Sequence, residues 1–299
     1  MDTLTKQDKK LKPKAKITDI IEKIVEAFLF LCASMAVLSV VVISVYIFIK
    51  GTPAIAKIGP LKFIFGMVWN PSADLYGIFP MIVGSIYLTL GAIIVGVPIG
   101  LLTAVFLAEL APKWLTKIIT PAVELLAGIP SVVYGFFGLI VIVPIIDKIF
   151  GGGGNSLLAA IIILSIMILP TIINISQTSI KAVPSIYKEG SLALGASNIE
   201  TIFKVIIPAA KSGILASVVL AVGRAIGETM AVILVAGNTP MIPEGVTSSF
   251  RTLTANIAME MSYASGLQLE ALFATGVVLF VFIMVLNLTL NLLTYKAGE

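Results

Sequence analysis

The chain of 299 residues has no histidine, one cysteine and little charge. The absence of histidine excludes imidazole-based catalysis, histidine metal ligation and the usual switch near neutral pH. A single cysteine, Cys32, cannot form an internal disulfide or a cysteine metal cluster, and its apolar surroundings predict a small buried hydrophobe. Charged residues are 12% of the chain, about half of the ~25% usual in soluble domains. The sequence therefore lacks the polar surface of a water-soluble protein.

Long apolar runs take the place of that polar surface. Hydrophobic residues are 58% of the chain, and the mean hydropathy is +1.09. A bilayer core of ~30 Å needs ~20 apolar helical residues. Runs of that length predict an all-α membrane protein with six membrane-spanning helices (spans), at 27–49, 79–107, 118–146, 157–180, 214–235 and 271–293.

The positions of the cations predict the orientation of these spans. Cytoplasmic loops of membrane proteins carry the excess of lysine and arginine. One face would hold fourteen cations: Lys6, Lys9, Lys10, Lys12, Lys14, Lys16, Lys23, Lys113, Lys117, Lys181, Lys188, Lys204, Lys211 and Lys296. The other would hold five: Lys50, Lys57, Lys62, Lys148 and Arg251. Both termini are therefore expected in the cytoplasm, and the net charge of +4 needs no nucleic-acid partner.

A cleaved signal peptide is the rival interpretation of the N-terminal region, because residues 54–56 resemble a small-x-small cleavage site. The apolar run 27–49 is longer than the ~7–15 residues of a signal sequence, so an uncleaved span is preferred. We predict a lysine-rich cytoplasmic tail over 1–23, the first helix with an outer interfacial segment over 24–76, and the remaining transmembrane domain over 77–296. In the outer segment, Trp69 is expected at the level of the lipid headgroups. The glycine run 151–154 predicts a flexible tight turn on the outer face.

The longest inner loop, residues 181–211, has the pattern of two short amphipathic helices. Pro184 suits a helix start, and Gly195 can adopt the positive φ that separates two helices. Ser197 and Glu200 have capping-box spacing. Four apolar residues then mark one helical face, namely Ile199, Ile202, Phe203 and Ile206, and Pro208 is expected to end the helix. Such helices either rest on lipid headgroups or dock in a groove of a soluble partner.

A resemblance decides between these two alternatives. The inner loop is similar to the permease loop of binding-protein-dependent ABC importers, at Glu189, Gly195, Val205, Ile207 and Pro208 with the spacing intact. It departs from that pattern where Gly190 and Ser191 replace two alanines. The resemblance implies the type I ABC importer permease fold, and it implies that loop 181–211, here called the coupling loop, is seated in a groove of a cytoplasmic ABC ATPase dimer.

Two charges inside the fifth predicted span are the second notable feature. Arg224 and Glu228 are four residues apart, so on a continuous helix they share a face and can pair. Gly223 and Gly227 have the same spacing and would let a neighbouring helix approach beside them. The charges are either a buried ion pair that fixes helix packing or a charged surface of the translocation path. An arginine suits a tetrahedral oxyanion because its planar fork presents several donors.

Further segments resemble one branch of the importer family. Residues 65–71, 76–84, 124–135 and 223–229 are similar to phosphate-importer permeases of the PstC type, more than to the PstA type that shares several of them. The resemblance implies a permease subunit for inorganic phosphate in a prokaryotic cytoplasmic (inner) membrane, with Arg224, Glu228 and Glu124 in the translocation pathway. Glu124 is alternatively an interfacial acid near Lys117. The implied partners are a PstA-type permease in a heterodimer, an ABC ATPase dimer and an extracytoplasmic phosphate-binding protein.

Other function classes remain as alternatives or are excluded. A permease for another oxyanion or solute would share the coupling loop, whereas a secondary transporter or channel would have no ATPase partner. A membrane enzyme is disfavoured, because there is no histidine and no intramembrane acid pair. The nucleotide-binding pattern Gly-x-x-x-x-Gly-Lys-Ser/Thr does not occur in the sequence. We therefore expect no catalytic residues, no metal site and no cofactor in this chain, and ATP and Mg²⁺ used by the partner ATPase.

Overall fold

The computed structural model describes the backbone of residues 12–298 and the side chains of residues 21–289 and 292. Its α-helices are α1 (Lys12–Ile58), α2 (Pro60–Phe65), α3 (Phe79–Val105), α4 (Lys113–Gly128), α5 (Ser131–Phe137), α6 (Val143–Phe150), α7 (Leu157–Lys181), α8 (Ser185–Ala193), α9 (Asn198–Thr201), α10 (Ile207–Ala209), α11 (Lys211–Gly227), α12 (Met230–Val235), α13 (Leu253–Glu260) and α14 (Gly266–Gly298). Two antiparallel strands, β1 (Trp69–Asn70) and β2 (Leu75–Tyr76), flank a 3₁₀ turn at Pro71–Ala73.

The backbone divides into two units, residues 1–50 and residues 51–299. In the first unit, nearly every described side chain is exposed, including Cys32, so the expected burial of that thiol is wrong. Three serine hydroxyls of this unit donate to carbonyl oxygens four residues earlier, at 2.8 Å each: Ser34 to Phe30, Ser39 to Met35 and Ser44 to Val40. These polar groups are therefore satisfied within an otherwise apolar helix. Residues 1–11 of the predicted tail lie outside the described residues, and the backbone is helical from Lys12.

The described residues contain five to six candidate spans, which fits the prediction of six. Five helices are long and apolar enough to cross a membrane, at Ile21–Ile58, Phe79–Leu110, Ser131–Phe150, Leu157–Lys181 and Gly266–Thr289. The count is six when the bent pair of Asn198–Ala209 and Lys211–Gly227, whose axes differ by 69°, is taken as one span. The described part of the chain is thus a helical membrane protein, and the bounds of two spans differ from those predicted.

The third span begins later than predicted. α4 ends at Gly128, and the backbone is extended at Ile129 and Pro130 before a helix resumes at Ser131. A residue that precedes proline is sterically disfavoured in the helical region, which explains the break at Ile129. The Tyr134 hydroxyl donates to the Leu126 carbonyl oxygen across the break at 2.8 Å. The predicted start of the third span at residue 118 is therefore wrong, and α4 is a separate amphipathic helix.

The core of the second unit lies where α3, α7 and α11 meet. Buried apolar residues of these helices form one cluster, including Leu88, Ala92, Leu164, Ile168, Ile172, Ala221 and Ala225. Gly96 allows the close approach of α3 to α7, because a Cβ atom there would lie 2.7 Å from Ile168 Cδ1. Such contacts between small residues and branched side chains suit helix association in lipid, where hydrophobic attraction between helices is absent.

Three short π-helical segments interrupt the α-helical geometry. They lie at the inner end of α3 (Phe106–Leu110), between α5 and α6 (Gly138–Ile142), and between α9 and α10 (Ile202–Ile206). Segments of this kind are rare in proteins and are frequent at functional sites. The first contacts the coupling loop through Glu109 and the third lies within that loop, whose geometry is described below.

The glycine run 151–154 forms the turn between α6 and α7. All four glycines have a positive φ, from 72° to 85°, a conformation in which residues with a side chain are strained. The Asp147 carboxylate accepts a hydrogen bond from the Gly153 N–H at 2.7 Å. The prediction of a tight turn is confirmed, and Asp147 holds its backbone in place.

Candidate functional site

The fifth span is broken at the charged pair. α11 ends at Gly227, Glu228 is extended with φ −68° and ψ 129°, and α12 starts at Met230. The carboxylate of Glu228 accepts a hydrogen bond from the Ala231 N–H at 3.0 Å, so it caps the first turn of α12. The Glu228 carbonyl oxygen accepts from the Thr254 hydroxyl of α13 at 3.1 Å. The break is thus held by two hydrogen bonds, one to Ala231 and one from Thr254, and is part of the fold.

The predicted pairing of Arg224 with Glu228 is wrong. Four ion pairs occur among the described side chains, and none of them joins these two residues. The prediction assumed a continuous helix, in which positions i and i+4 are neighbours, but Glu228 has left the helix. The half-buried guanidinium donates instead to the Thr171 hydroxyl of α7 at 3.3 Å. Most donors of Arg224 therefore remain available to another acceptor.

The two glycines beside the charges face open space in this chain. A Cβ atom added at Gly223 or at Gly227 would meet nothing within 4 Å. No described helix of this chain makes the close approach that these glycines permit, and an approach by a helix of another subunit stays a prediction. This open face of α11 lies next to the half-buried Arg224 on the same helix.

Glu124, the third predicted pathway residue, lies apart from the other two in secondary structure. It belongs to α4, before the break at Ile129 and Pro130, rather than two turns inside the third span as predicted. Its side chain is exposed and takes part in none of the ion pairs of the described residues. A role in the pathway remains a prediction for Glu124, Arg224 and Glu228.

The coupling loop has the predicted two-helix form. α8 and α9 are separated by Gly195, whose φ is +88°. Ser197 and Glu200 form the predicted capping box, in which the Ser197 hydroxyl accepts from the Glu200 N–H at 3.3 Å. In this cytoplasmic loop, the backbone N–H and then the hydroxyl of Ser197 hold the pKa of Glu200 below its ordinary value, and Lys204 adds to the effect.

The four apolar residues predicted to share one helical face are divided between a buried side and an exposed side of the coupling loop. Ile202 and Ile206 are buried and pack with Val105, Ile180 and Ile214 of α3, α7 and α11. Ile199 and Phe203 are each 53% exposed. The helix continues to Ala209, one residue past the predicted end at Pro208. One face of the loop is thus fixed to the spans and the other is free.

A patch of large apolar side chains is exposed on the same loop. Leu194 is 91% exposed, Ile186 70% and Tyr187 54%, and all three flank or lie within α8. Of the motif residues, Glu189, Gly195 and Pro208 are exposed, whereas Val205 and Ile207 are half-buried. Exposed apolar patches on a loop outside the spans are typical of protein–protein contacts.

Sequence reasoning missed an ion pair that joins the coupling loop to a span. Lys188 of α8 pairs with Glu109, which lies in the π-helical segment at the inner end of α3. The Glu109 side chain is only 12% exposed, so the pair is partly shielded from water. A charged residue close to the end of a predicted span, here Glu109, indicates that a partner is needed. The sequence does not show which one, because Lys188 is 79 residues away.

Sequence reasoning also missed a buried polar group around Glu260, here called the outer charged cluster: Arg251, Glu260, Trp69, Asn256 and Gln268. Arg251 pairs with Glu260 at 2.8 Å, and both side chains are largely buried, at 13% and 8% exposure. The Trp69 indole N–H and the Gln268 amide donate to the same carboxylate at 3.0 and 2.9 Å. Trp69 is 6% exposed, so its ring is buried in the protein, and its expected depth at the headgroup level stays a prediction.

The outer charged cluster joins segments that are distant in sequence. β1 pairs with β2 so that Trp69 lies opposite Tyr76, with their rings in an edge-on contact at 5.6 Å. Arg251 also donates from Nε to the Asn238 carbonyl oxygen at 2.8 Å. The cluster therefore ties the strand pair, the loop before α13 and the start of α14 into one rigid end of the second unit.

Comparison with known proteins agrees with this architecture. The sequence model of the family described as binding-protein-dependent transport system inner membrane component matches residues 96–296. The probable ABC transporter permease protein YqgH of Bacillus subtilis is 39% identical over 257 residues, which cover 84% of this chain and 83% of that protein. The phosphate transport system permease protein PstC of Pasteurella multocida is 37% identical over 239 residues, covering 73% and 75%.

Among solved structures, the chain is similar to one from a bacterial alginate ABC transporter in complex with an alginate pentasaccharide-bound periplasmic protein. The TM-score is 0.63 at 15% identity, and the match covers 93% of this chain and 98% of that one. At this identity the likeness concerns the fold alone. The helices and their order are thus those of ABC importer permeases.

Proposed function

Because this chain belongs to the family of binding-protein-dependent transport system inner membrane components, we propose that it is the permease subunit of an ATP-driven importer for inorganic phosphate. The observation that carries the proposal is the identity of 37% over 239 residues with a permease named for phosphate transport. As a member of this family, the chain is an inner-membrane protein. It supplies part of the membrane pathway and has no chemical step of its own.

The geometry at Arg224 supports an anionic substrate. The side chain is charged, half-buried and inside a span, a placement that is costly in lipid unless it serves a polar path. Among the described side chains, Arg224 donates to a neutral hydroxyl, that of Thr171. Glu228 does not neutralise it, because that carboxylate caps α12. A phosphate oxygen entering beside Arg224 would therefore meet a cation whose donors are largely unused.

The break in the fifth span supports passage at the same level. Non-helical backbone at membrane depth is tolerated where it is buried in protein or lines a polar cavity. Glu228 and Thr229 form such a joint, and the neighbouring Gly223 and Gly227 face open space. The open face of α11 is suited to a second permease of the PstA type, so that the two subunits enclose the path between them.

The coupling loop supports ATPase docking. Its exposed apolar residues, Ile186, Tyr187 and Leu194, would bury against a groove of a cytoplasmic ABC ATPase dimer. Ile202 and Ile206 fix the other face of the loop to the spans. Closure of the ATPase on ATP and Mg²⁺ would thus move the loop and, through it, the inner ends of α3, α7 and α11. The pathway would then alternate between outward-open and inward-open states, with phosphate delivered by an extracytoplasmic binding protein.

The deciding experiment is reconstitution. The chain is assembled in proteoliposomes with a PstA-type permease, the ATPase and a phosphate-binding protein, and uptake of radioactive phosphate is compared with uptake of sulfate and molybdate. We expect uptake of phosphate that requires ATP and all four components. ATP-dependent uptake of sulfate or molybdate in place of phosphate would overturn the substrate assignment, and uptake without the ATPase would indicate a secondary transporter.

A further inference from the structure

A basic cavity opens at the inner face between the end of α3, the start of α4 and the end of α7. Its volume is about 710 Å³. The polar part of its lining consists of three lysines and two threonines: Lys113, Lys117, Lys181, Thr116 and Thr120. The rest of the wall is apolar and consists of Leu107, Ala108, Ala111 and Pro121. We call this space the inner-face cavity. It is separate from Arg224 and from the exposed patch on the coupling loop, neither of which lines it.

The positive charge of the inner-face cavity is not balanced by the protein. No carboxylate is among its lining residues, and none of its three lysines takes part in an ion pair of the described side chains. The acid nearest in sequence to Lys113 is Glu109, which is engaged by Lys188. Lys113 and Lys117 are four residues apart on α4, so they share a face and repel each other. An anion between them would remove that repulsion.

A buried hydroxyl at the same place also lacks a partner. Thr120 Oγ1 is shielded from solvent and forms no hydrogen bond in the described structure, and Thr120 lines the cavity. Unsatisfied buried hydroxyls are unfavourable and are uncommon in folded proteins. An oxygen of a bound anion would accept a hydrogen bond from this group. The first turn of α4, at Lys113, adds the positive end of a helix dipole of sixteen residues.

The surroundings of the cavity favour a lipid as the source of that anion. The lysine distribution places this face in the cytoplasmic leaflet, where anionic headgroups are found. Trp114, next to Lys113, is 64% exposed, as is typical of tryptophan at the headgroup level. Ile118 and Leu125 extend along α4 as exposed apolar side chains, at 62% and 75%. A ligand with a phosphate group and acyl chains would contact both parts of this surface.

We propose that the inner-face cavity binds the phosphate group of an anionic phospholipid, with the acyl chains along α4. The lysines contact the phosphate oxygens, Thr120 donates a hydrogen bond, and Trp114 lies beside the glycerol region. Bound lipid fixes α4 to the ends of α3 and α7. The proposal concerns lipid binding by this chain and does not depend on which solute the chain transports.

The test uses the fluorescence of Trp114 in the purified full-length chain. The protein in neutral detergent is titrated with phosphatidylglycerol brominated on its acyl chains, because bromine quenches nearby tryptophan. Brominated phosphatidylcholine is the neutral-lipid arm, and inorganic phosphate without lipid is the soluble-anion arm. The triple variant Lys113→Gln/Lys117→Gln/Lys181→Gln is compared with a matched control, Lys23→Gln/Lys204→Gln/Lys211→Gln, whose residues lie outside the cavity.

We expect saturable quenching by the anionic lipid that Trp114→Phe abolishes. The loss of three lysines near an anionic headgroup should weaken the apparent affinity of the cavity triple by roughly a hundredfold. The control triple should change it less than about threefold on the same scale. If the cavity triple fails to fold, Lys117→Gln and Thr120→Val are used singly, with a smaller loss expected from each.

Three results would overturn the proposal. Equal quenching by phosphatidylcholine would mean that the phosphate charge is not recognised. An equal loss in the control triple would mean that net charge, and not this cavity, attracts the lipid. In the third result, inorganic phosphate displaces the lipid at a lower concentration than that of the lipid, while chloride of matched ionic strength has no effect. That result would identify a soluble phosphate as the ligand.

Discussion

Lys188 of the coupling loop and Glu109 of the second span form an ion pair at the inner end of the membrane domain. The other hydrogen bonds that the described side chains of the coupling loop make are internal to the loop, for example between Ser191 and Thr201 at 2.9 Å. The ion pair is therefore the polar side-chain connection between α8 and α3, beside the apolar contacts of Ile202 and Ile206.

Reversal of either charge in this pair should weaken coupling. In Glu109→Lys or Lys188→Glu, like charges meet in a partly shielded site, and we expect phosphate transported per ATP hydrolysed to fall by about fivefold or more. The double variant Glu109→Lys/Lys188→Glu should restore the ratio. The measurement is the ratio of uptake to ATP hydrolysis in proteoliposomes.

The exposed pair Lys57–Glu270 is the matched control for that reversal. It lies outside the coupling loop, with side chains 57% and 35% exposed. Exchange of its two charges should leave the ratio within about twofold, because exposed pairs contribute little. Failure of the double Glu109/Lys188 variant to recover, at normal membrane abundance, would remove the proposed link.

Replacement of Arg224 should abolish most phosphate uptake. In Arg224→Gln the cation is lost, and in Arg224→Lys the charge remains but the two-pronged contact to an oxyanion is lost. We expect uptake to fall by roughly a hundredfold for glutamine and roughly tenfold for lysine. Initial rates are measured at saturating binding protein, with abundance in the membrane determined by immunoblot. Normal uptake by Arg224→Gln at equal abundance would contradict a pathway role.

The contact between Glu228 and Ala231 predicts an asymmetry between two substitutions of Glu228. Glu228→Gln keeps an oxygen that can accept from the Ala231 N–H, so the break in the fifth span should persist and uptake should change less than about threefold. Glu228→Ala removes the cap, and we expect a loss of about 1 kcal/mol in stability together with lower uptake. Thermal unfolding in detergent and uptake are measured for both. An equal effect of the two would indicate that the charge of Glu228 matters and that its capping role does not.

The outer charged cluster predicts a large loss of stability when its cation is removed. Arg251→Met leaves the buried Glu260 carboxylate without its charge partner, and breaking such a pair typically costs about 3–5 kcal/mol. Lys57→Met is the control, because the Lys57–Glu270 pair has side chains 57% and 35% exposed and should contribute about 1 kcal/mol or less. Thermal unfolding of the purified chain compares the two. Similar midpoints would show that burial of the Arg251 pair has no energetic effect.

Gly195 and Gly190 offer a matched test of the coupling loop. Gly195→Ala places a side chain at φ +88°, which costs about 1–2 kcal/mol for an L-residue. Gly190→Ala lies within α8, where nothing within 4 Å meets the new methyl and alanine favours the helix. We expect the ATPase to bind Gly195→Ala roughly tenfold more weakly and Gly190→Ala with unchanged or higher affinity. The measurement is binding of the purified ATPase to the permease in nanodiscs.

Local patterns in the sequence predicted much of this architecture. Span number, the two-helix coupling loop, its capping box and the positive φ at Gly195 all depend on residues within a few positions of one another. The Glu109–Lys188 ion pair and the Trp69–Glu260 hydrogen bond did not follow from local patterns, because their partners are 79 and 191 residues apart. Tertiary packing alone brings them together.

The error at Arg224 and Glu228 had a different origin. Pairing at i and i+4 requires a continuous helix, and the helix ends at Gly227. The contact from the Ala231 N–H to the Glu228 carboxylate is a feature of the folded break, which the sequence spacing does not indicate. By contrast, Pro130 signals that the helix before it ends, which separates α4 from the third span.

The three π-helical segments have a consequence for how related chains can be compared. A π turn holds one residue more than an α turn, so each segment is a one-residue insertion that the helix absorbs without unfolding. After it, every following side chain is rotated by about 100° around the helix axis. Gly138–Ile142 and Ile202–Ile206 have helix on both sides, so they are places where a residue can be gained or lost while the ends of the helix stay fixed; Phe106–Leu110 is itself the end of its helix. At these places a gap in an alignment means that the side chains after it point in a different direction around the helix axis, and the helix itself is not interrupted.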